Sequence, residues 1–166
     1  MNSKIYDKLI SLINEANINE HTLTKNEIAL SNPIPDSSTT ANTKINVLSI
    51  LGSGYIGDVD VFYNRIDLAE LGTNLSLLSE IQFSLDNIVS ELSLSRAADL
   101  DLSDIENITI PSMIVGDINN VTLTAKQNSL GWIGENNVSL LYGLSYNSVN
   151  PLHHLMNVVL PGANYL

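Results

Sequence analysis

Two stretches of this chain repeat one another. Gly54-Tyr55-Ile56-Gly57-Asp58, followed by Val61, returns as Gly131-Trp132-Ile133-Gly134-Glu135, followed by Val138. The offset is 77 residues (131 − 54). At the same offset Leu23 and Ile28 fall on Leu100 and Ile105, and with a one-residue slip Ile45, Val47 and Ser49 fall on Val121, Leu123 and Ala125. A period of this length is that of a duplicated small domain, and it constrains the architecture before any single element is placed. What is kept twice is a turn, the strands around it and a preceding helix. No reactive side chain is kept twice.

Hydrophobic periodicity fills in the elements. Asn2 or Ser3 can cap a first helix, on which Ile5, Leu9, Leu12, Ile13 and Ala16 share one face. Residues 27–31 read as a short strand. Residues 32–43 read as a loop, with two prolines and an Asp-Ser-Ser-Thr-Thr run. Residues 44–51 read as a strand, 52–57 as a tight glycine turn and 58–64 as a strand with one wet face. Residues 67–72 read as a helical turn or linker. In the second copy, Leu77, Leu78, Ile81, Leu85, Ile88, Val89 and Leu92 predict a longer amphipathic helix capped by Asn74 or Ser76. Residues 99–111 then hold the counterpart of the first short strand, and 120–126 and 136–142 match the two longer ones. The expectation is an α+β chain, each copy one helix followed by about three antiparallel strands, with repeats over 1–71 and 72–143. Residues 144–166 have no counterpart in the first copy. They read as a C-terminal docking arm, either a helix opened by Asn150-Pro151 or an extended apolar strip, with Leu152, Leu155, Met156, Val158, Val159 and Leu160 as its interface.

Charge narrows the partners. Seven basic residues against eighteen acidic ones give a net charge of −11 and a pI near 4.3. Such a surface repels phosphate, which disfavours DNA or RNA as a ligand. Only 15% of residues are charged, and Ser, Thr and Asn replace the missing charges, as suits protein–protein packing. Without Cys there is no disulfide framework and no thiolate chemistry. Neither a signal peptide nor an apolar run of membrane-spanning length is legible, so the expectation is a soluble protein made in a cytoplasm, with no membrane partner.

Several motifs invite sharper readings. Gly52-Ser53-Gly54-Tyr55-Ile56-Gly57 is a literal G-x-G-x-x-G after a strand. A dinucleotide site needs a helix next, whose N-terminus faces the pyrophosphate. Asp58-Val59-Asp60-Val61-Phe62 alternates instead as a strand, and its carboxylates repel phosphate. The kinase glycine loop does lie between strands, but the lysine strand, catalytic loop and Asp-Phe-Gly it needs are missing. The second copy keeps only Gly131 and Gly134, matching Gly54 and Gly57, so the shared demand is one of backbone geometry. Asp99, Asp101, Asp104 and Glu106 form an acidic cluster without the Gly and terminal Glu of a calcium loop. His153 and His154 are adjacent and so diverge, and His21 is isolated, which is a poor ligand set for zinc. No nucleophile–base pattern is legible. Tyr55 and Trp132 hold equivalent places, either as rings covering bare glycine backbone or as binding anchors.

Taken together, the helix, Leu-x-x-x-x-Ile, strand and Ser-x-Gly-Tyr/Trp-Ile-Gly-acidic turn resemble modules in virion structural proteins of giant (jumbo) tailed bacteriophages. Gly54, Tyr55, Gly57, Val59, Val61, Tyr63 and Arg65 match one such turn, and Ser129, Leu130, Gly131, Trp132, Ile133, Gly134 and Val138 match a second. Asp58, Glu135 and Asn136-Asn137 depart from the pattern by adding polarity. Leu160-Pro161-Gly162-Ala163-Asn164-Tyr165 is similar to a terminal element of the same modules. The resemblance implies a non-enzymatic subunit of the tail, neck or baseplate, located in the virion. It implies packing against other virion proteins and copies of itself, with no cofactor, metal or small-molecule substrate. Two other expectations stand beside it: a glycan- or receptor-binding module of a fibre or adhesin, using Trp132, Tyr55, Tyr142 and Tyr146, and a carboxylate-dependent hydrolase.

Overall fold

The first helix forms where its cap predicts. The computed structural model describes residues 2–16, 21–72 and 75–143. Helix α1 (Ser3–Ala16) starts at Asn2, whose Oδ1 accepts from the N–H groups of Lys4 (3.1 Å) and Ile5 (3.4 Å). Its buried stripe is Leu9, Ile10 and Ile13, whereas Leu12, expected on that face, is half exposed. The strands β1 (Ile28–Leu30), β2 (Ile34–Pro35), β3 (Thr43–Ser49) and β4 (Asp58–Tyr63) make one antiparallel sheet. β3 is central, with β1 and β2 sharing one edge and β4 on the other. The loop read over 32–43 therefore contains a short strand, and Asp36 closes its turn. The Asp36 carboxylate accepts from Ser38 Oγ and from both the N–H and the hydroxyl of Thr39. Those bonds hold its pKa down to about 2.

The middle of the chain departs from its periodicity. After β5 (Ile66–Asp67) and a 3₁₀ turn (Leu68–Leu71), residues Leu75–Ser79 form a strand, β6, rather than the start of a helix. Leu75 and Leu77 are buried while Ser76 and Leu78 are exposed, a period of two. The 77/81/85/88 spacing mimics a helix, but the actual start signal is Ser84. Its hydroxyl accepts from Asn87 N–H, and the Asn87 side chain accepts from Ser84 N–H. Helix α2 is accordingly Leu85–Ser95. The strand expected within 99–111 shrinks to one bridge, Ile105 to Ala125, because a capped 3₁₀ turn (Leu102–Asp104) occupies the run before it.

The chain closes with β7 (Ile118–Thr124), β8 (Trp132–Ile133) and β9 (Glu135–Tyr142). β9 is central in a three-stranded sheet, antiparallel to β7 and parallel to β6, so the second half is not wholly antiparallel as expected. The described chain is α+β, with two α-helices and its strands gathered in sheets. Two cores result. One lies under α1 and includes Ile28, Ile45 and Val47, and the other lies under α2 and includes Leu75, Leu123, Val138 and Leu140. In the first sheet Ile45 stands opposite Val61 and Ile28 opposite Ser49. In the second, Val121 stands opposite Val138.

Candidate interaction surface

The two halves are joined by buried polar groups and one exchanged leucine. Leu130 belongs by sequence to the second half, yet it packs in the first core with Leu9, Ile13 and Ile45. β5 pairs with β8 in parallel, and Ile66 N–H donates to Gly131 C=O at 2.9 Å. Arg65 is buried. Its Nε donates to Thr43 Oγ1, and its Nη1 to the carbonyls of Gln127 (3.2 Å) and Ser129 (3.1 Å). Burial lowers its pKa, but an arginine stays charged, so these acceptors replace the water it has lost. The buried Asp104 carboxylate accepts from Asn2 Nδ2 (2.8 Å) and Ser129 Oγ (2.7 Å), tying the start of α1 to the turn before β8. Two members of the acidic cluster are thus structural: Asp101 accepts from Ser103 N–H, and Asp104 holds the junction. Among the described residues no three His, Asp or Glu side chains gather as a metal site. His21 is exposed beside Glu27, and His153 and His154 lie outside the described residues.

The glycine turns do different work in the two halves. Gly54 and Gly57 have φ of +88° and +91° with open space where a Cβ would point, so conformation alone selects glycine there. Gly134 has φ +74°, and an added Cβ would overlap the Asp67 carboxylate. Gly131 has no positive φ, and its constraint is the Ile5 side chain, 3.0 Å from an added Cβ. Trp132 is buried in the second core and its indole N–H donates to Asp99 C=O (3.4 Å). Tyr55 is exposed, its ring 5.5 Å from that of His21. The equivalent aromatics therefore part company: Trp132 is core and Tyr55 is surface. β4 follows the 52–57 turn directly, so no helix N-terminus faces it.

An open apolar surface lies between α1 and β4. A groove of about 940 Å³ is lined by Leu9, Leu12, Ile13, Val59, Val61 and Tyr63. Val59 and Phe62 are exposed, and Ile56, at the mouth of the turn, is 99% exposed. Tyr63 Oη is buried with no hydrogen-bond partner among the described residues, and burial pushes its pKa up to about 12. The other face of β4 carries two carboxylates beside the exposed Phe62: Asp60 pairs with Lys44 Nζ at 3.0 Å, and Asn46 Nδ2 donates to Asp58 and Asp60. Lys44 holds the Asp60 carboxyl below its usual range, helped by Asn46. Sequence reading singled out the glycine turns but missed the roles of Arg65 and Asp104 and the exchange of Leu130. Each depends on partners 22 to 102 residues away that carry no local signal. The proposed arm residues, Leu152, Leu155, Met156, Val158, Val159 and Leu160, lie outside the described residues, as does the expected cap Asn74.

Among the described residues these features define an α+β arrangement with two small cores, a buried junction between them and an open apolar groove beside β4. The chain belongs to a family of unknown function, DUF7941, whose model matches residues 2–165. No curated protein and no solved structure matches it.

Proposed function

We propose that this chain is a non-enzymatic structural subunit of a tailed bacteriophage particle, acting in the tail, neck or baseplate through protein–protein packing. Its partners are other virion proteins and copies of itself, and no cofactor, nucleic acid, membrane or small-molecule substrate enters the role. The observation that carries the reading is the apolar surface around β4. Ile56, Val59 and Leu12 are exposed beside an open groove, with Phe62 exposed on the strand's other face, a concentration of exposed apolar side chains that marks an interaction site. The resemblance of the two glycine turns to those of giant-phage virion proteins supplies the setting.

We further read the chain as a duplicated module over 1–71 and 72–143, with 144–166 as a docking arm. Register supports this. Ile45 opposite Val61 becomes Val121 opposite Val138, and Ile28 opposite Ser49 becomes Ile105 opposite Ala125, at the offsets the sequence repeat requires.

The test is localisation. Mass spectrometry of purified virions should detect the chain, and electron microscopy should place it in tail, neck or baseplate density. Its absence from purified particles would end the proposal. A glycan- or receptor-binding role is the second reading, favoured by the exposure of Tyr55 beside His21. Saturable binding on a glycan array, lost in Tyr55→Ala, would select it over the structural role.

A further inference from the structure

We propose that the outer edge of β4 and the groove beside it receive segment 157–160 of a neighbouring copy as an added parallel strand. The starting point is a difference between the halves. β9 has both edges filled, by β7 on one side and β6 on the other. β4 faces β3 as β9 faces β7, yet among the described residues β4 has a partner on one edge only. β6 aligns Leu75 with Val138, Ser76 with Ser139 and Leu77 with Leu140. At the 77-residue offset those β9 positions are Val61, Phe62 and Tyr63.

The helices tell the same story. Glu91, Leu92 and Ser95 of α2 stand beside β6. The same spacing on α1 gives Leu12, Ile13 and Ala16, which line the groove. Beside a filled edge the helix carries Glu and Ser, and beside the open edge it carries Leu and Ala. Leu12 is half exposed. An inserted strand covers it.

The occupant must present apolar residues two apart, as Leu75 and Leu77 do, and carry little charge. Asn157-Val158-Val159-Leu160 does so through Val158 and Leu160. Pro161 follows, and its missing N–H ends a ladder there. The source is a neighbour for a topological reason. β9 leaves the junction at Gly134 beside Asp67, so Gly143 lies at the end remote from it. β4 ends at the junction, where Arg65 meets Ser129, so a parallel strand must enter from the Asp58 end, also remote. A chain's own tail could reach that end only by doubling back past the junction over the 14 residues 144–157, about 46–50 Å when fully extended, and the double variant below separates that route from a neighbour's. A neighbour's tail enters directly. The resulting contact is head-to-tail, and it propagates into a ring or a filament. The inference rests on the reading of the chain as an assembly subunit.

The chain has no cysteine, which makes cross-linking clean. Full-length Phe62→Cys and a size-tagged full-length Val159→Cys are mixed and oxidised. The proposed register sets these two positions opposite each other. A mixed disulfide dimer should dominate over homodimers, and V158D/L160D on the tagged chain should reduce it at least tenfold. Leu94→Cys, on the exposed face of α2, sets the random level. A mixed band no stronger than that level overturns the inference. So does a Phe62→Cys/Val159→Cys double variant that closes only within single chains, because the tail is then its own. Failure of the cross-link with the chain still present in purified virions sinks the added strand and leaves the structural role standing. A strong cross-link with the chain absent from virions does the reverse.

Discussion

Replacing Leu130 by Ala tests whether the halves fold as one unit. Leu130 is 1% exposed, and its neighbours in space are Leu9, Ile10, Ile13 and Ile45 of the first core. Its neighbours in sequence, Ser129 and Trp132, belong to the junction and the second core. Removing the isobutyl group forfeits its transfer free energy and leaves a cavity, about 2–5 kcal/mol in all. Ile5, which abuts Gly131, can lean partway into the space, so a cost of about 3 kcal/mol is expected. At roughly 2–4 °C per kcal/mol for a chain of this size, Tm falls by about 6–12 °C. Trp132 is the sole tryptophan and is buried in the second core, so its fluorescence reports that half. Far-UV circular dichroism reports both. Arg65, Asp104 and the β5–β8 pairing cross the junction, so both urea transitions should shift together. If dichroism shows an early phase while the Trp132 transition stays in place, the halves unfold independently and the junction argument fails. A loss under about 0.5 kcal/mol, the level of an ordinary surface change, would equally show that Leu130 does not anchor the first core.

The glycine turns and Tyr63 give further tests. Gly57→Ala and Gly134→Ala should both destabilise, by about 1–3 kcal/mol from the positive φ, with Gly134→Ala the worse because Asp67 must also move. Gly131→Ala should act through Ile5 instead, so Ile5→Ala should relieve it in a double-mutant cycle while leaving Gly57→Ala unrelieved. Tyr63 carries a folded-state pKa raised from 10.0 to about 12. Its contribution is therefore complete below about pH 10 and is lost as pH rises toward 12, because the unfolded chain ionises first. Tyr63→Phe should flatten that part of the stability profile in urea melts, and it should cost little at neutral pH because the hydroxyl lacks a partner among the described residues. An unchanged alkaline limb in Tyr63→Phe would assign the slope elsewhere, with Tyr6, also raised by burial, the next residue to replace.

The sequence was most legible where one short-range rule acts alone. Asn2 caps α1, β-branched residues mark β3, and the alternation of 58–64 yields β4. It misled where two periods coincide. Leu77, Ile81, Leu85 and Ile88 satisfy a helical spacing, while Leu75 and Leu77 also satisfy a strand, and β6 wins because β9 offers it a ladder. No local pattern reports that ladder, since its partner lies 63 residues on (138 − 75). The site was legible in part. The glycine turns were visible as a repeat, but their divergence was not, because Gly131 is constrained by Ile5 from the other half of the molecule. Arg65 was visible only as part of a resemblance, and Asp104 was one carboxylate among four.

The β4 edge that lacks a partner among the described residues could also meet β4 of a second copy, and its charges bear on that pairing. Two-fold antiparallel pairing must keep like faces together, so the register must be centred on a residue. Centring on Val59 sets Asp58 of each copy opposite Asp60 of the other, twice. Centring on Asp60 sets those two carboxylates face to face, whereas centring on Val61 sets Asp60 opposite Phe62 and leaves that register free of a like-charge pair. Like charges directly opposite are destabilising, and charged side chains are a common guard on edge strands. Lys44 neutralises Asp60 only from within its own sheet, through a pair that is partly exposed and worth little. The net charge of −11 adds a repulsion that salt screens. An uncharged strand such as 157–160 meets none of this. The double substitution Asp58→Asn/Asp60→Asn should therefore open the first two registers to a second copy. Sedimentation velocity should show a new dimer of the substituted chain, and V158D/L160D should not abolish it, since that contact does not use the tail. If the substituted chain sediments as the parent does across a range of salt, the two aspartates are ordinary solvated side chains and do not guard the edge.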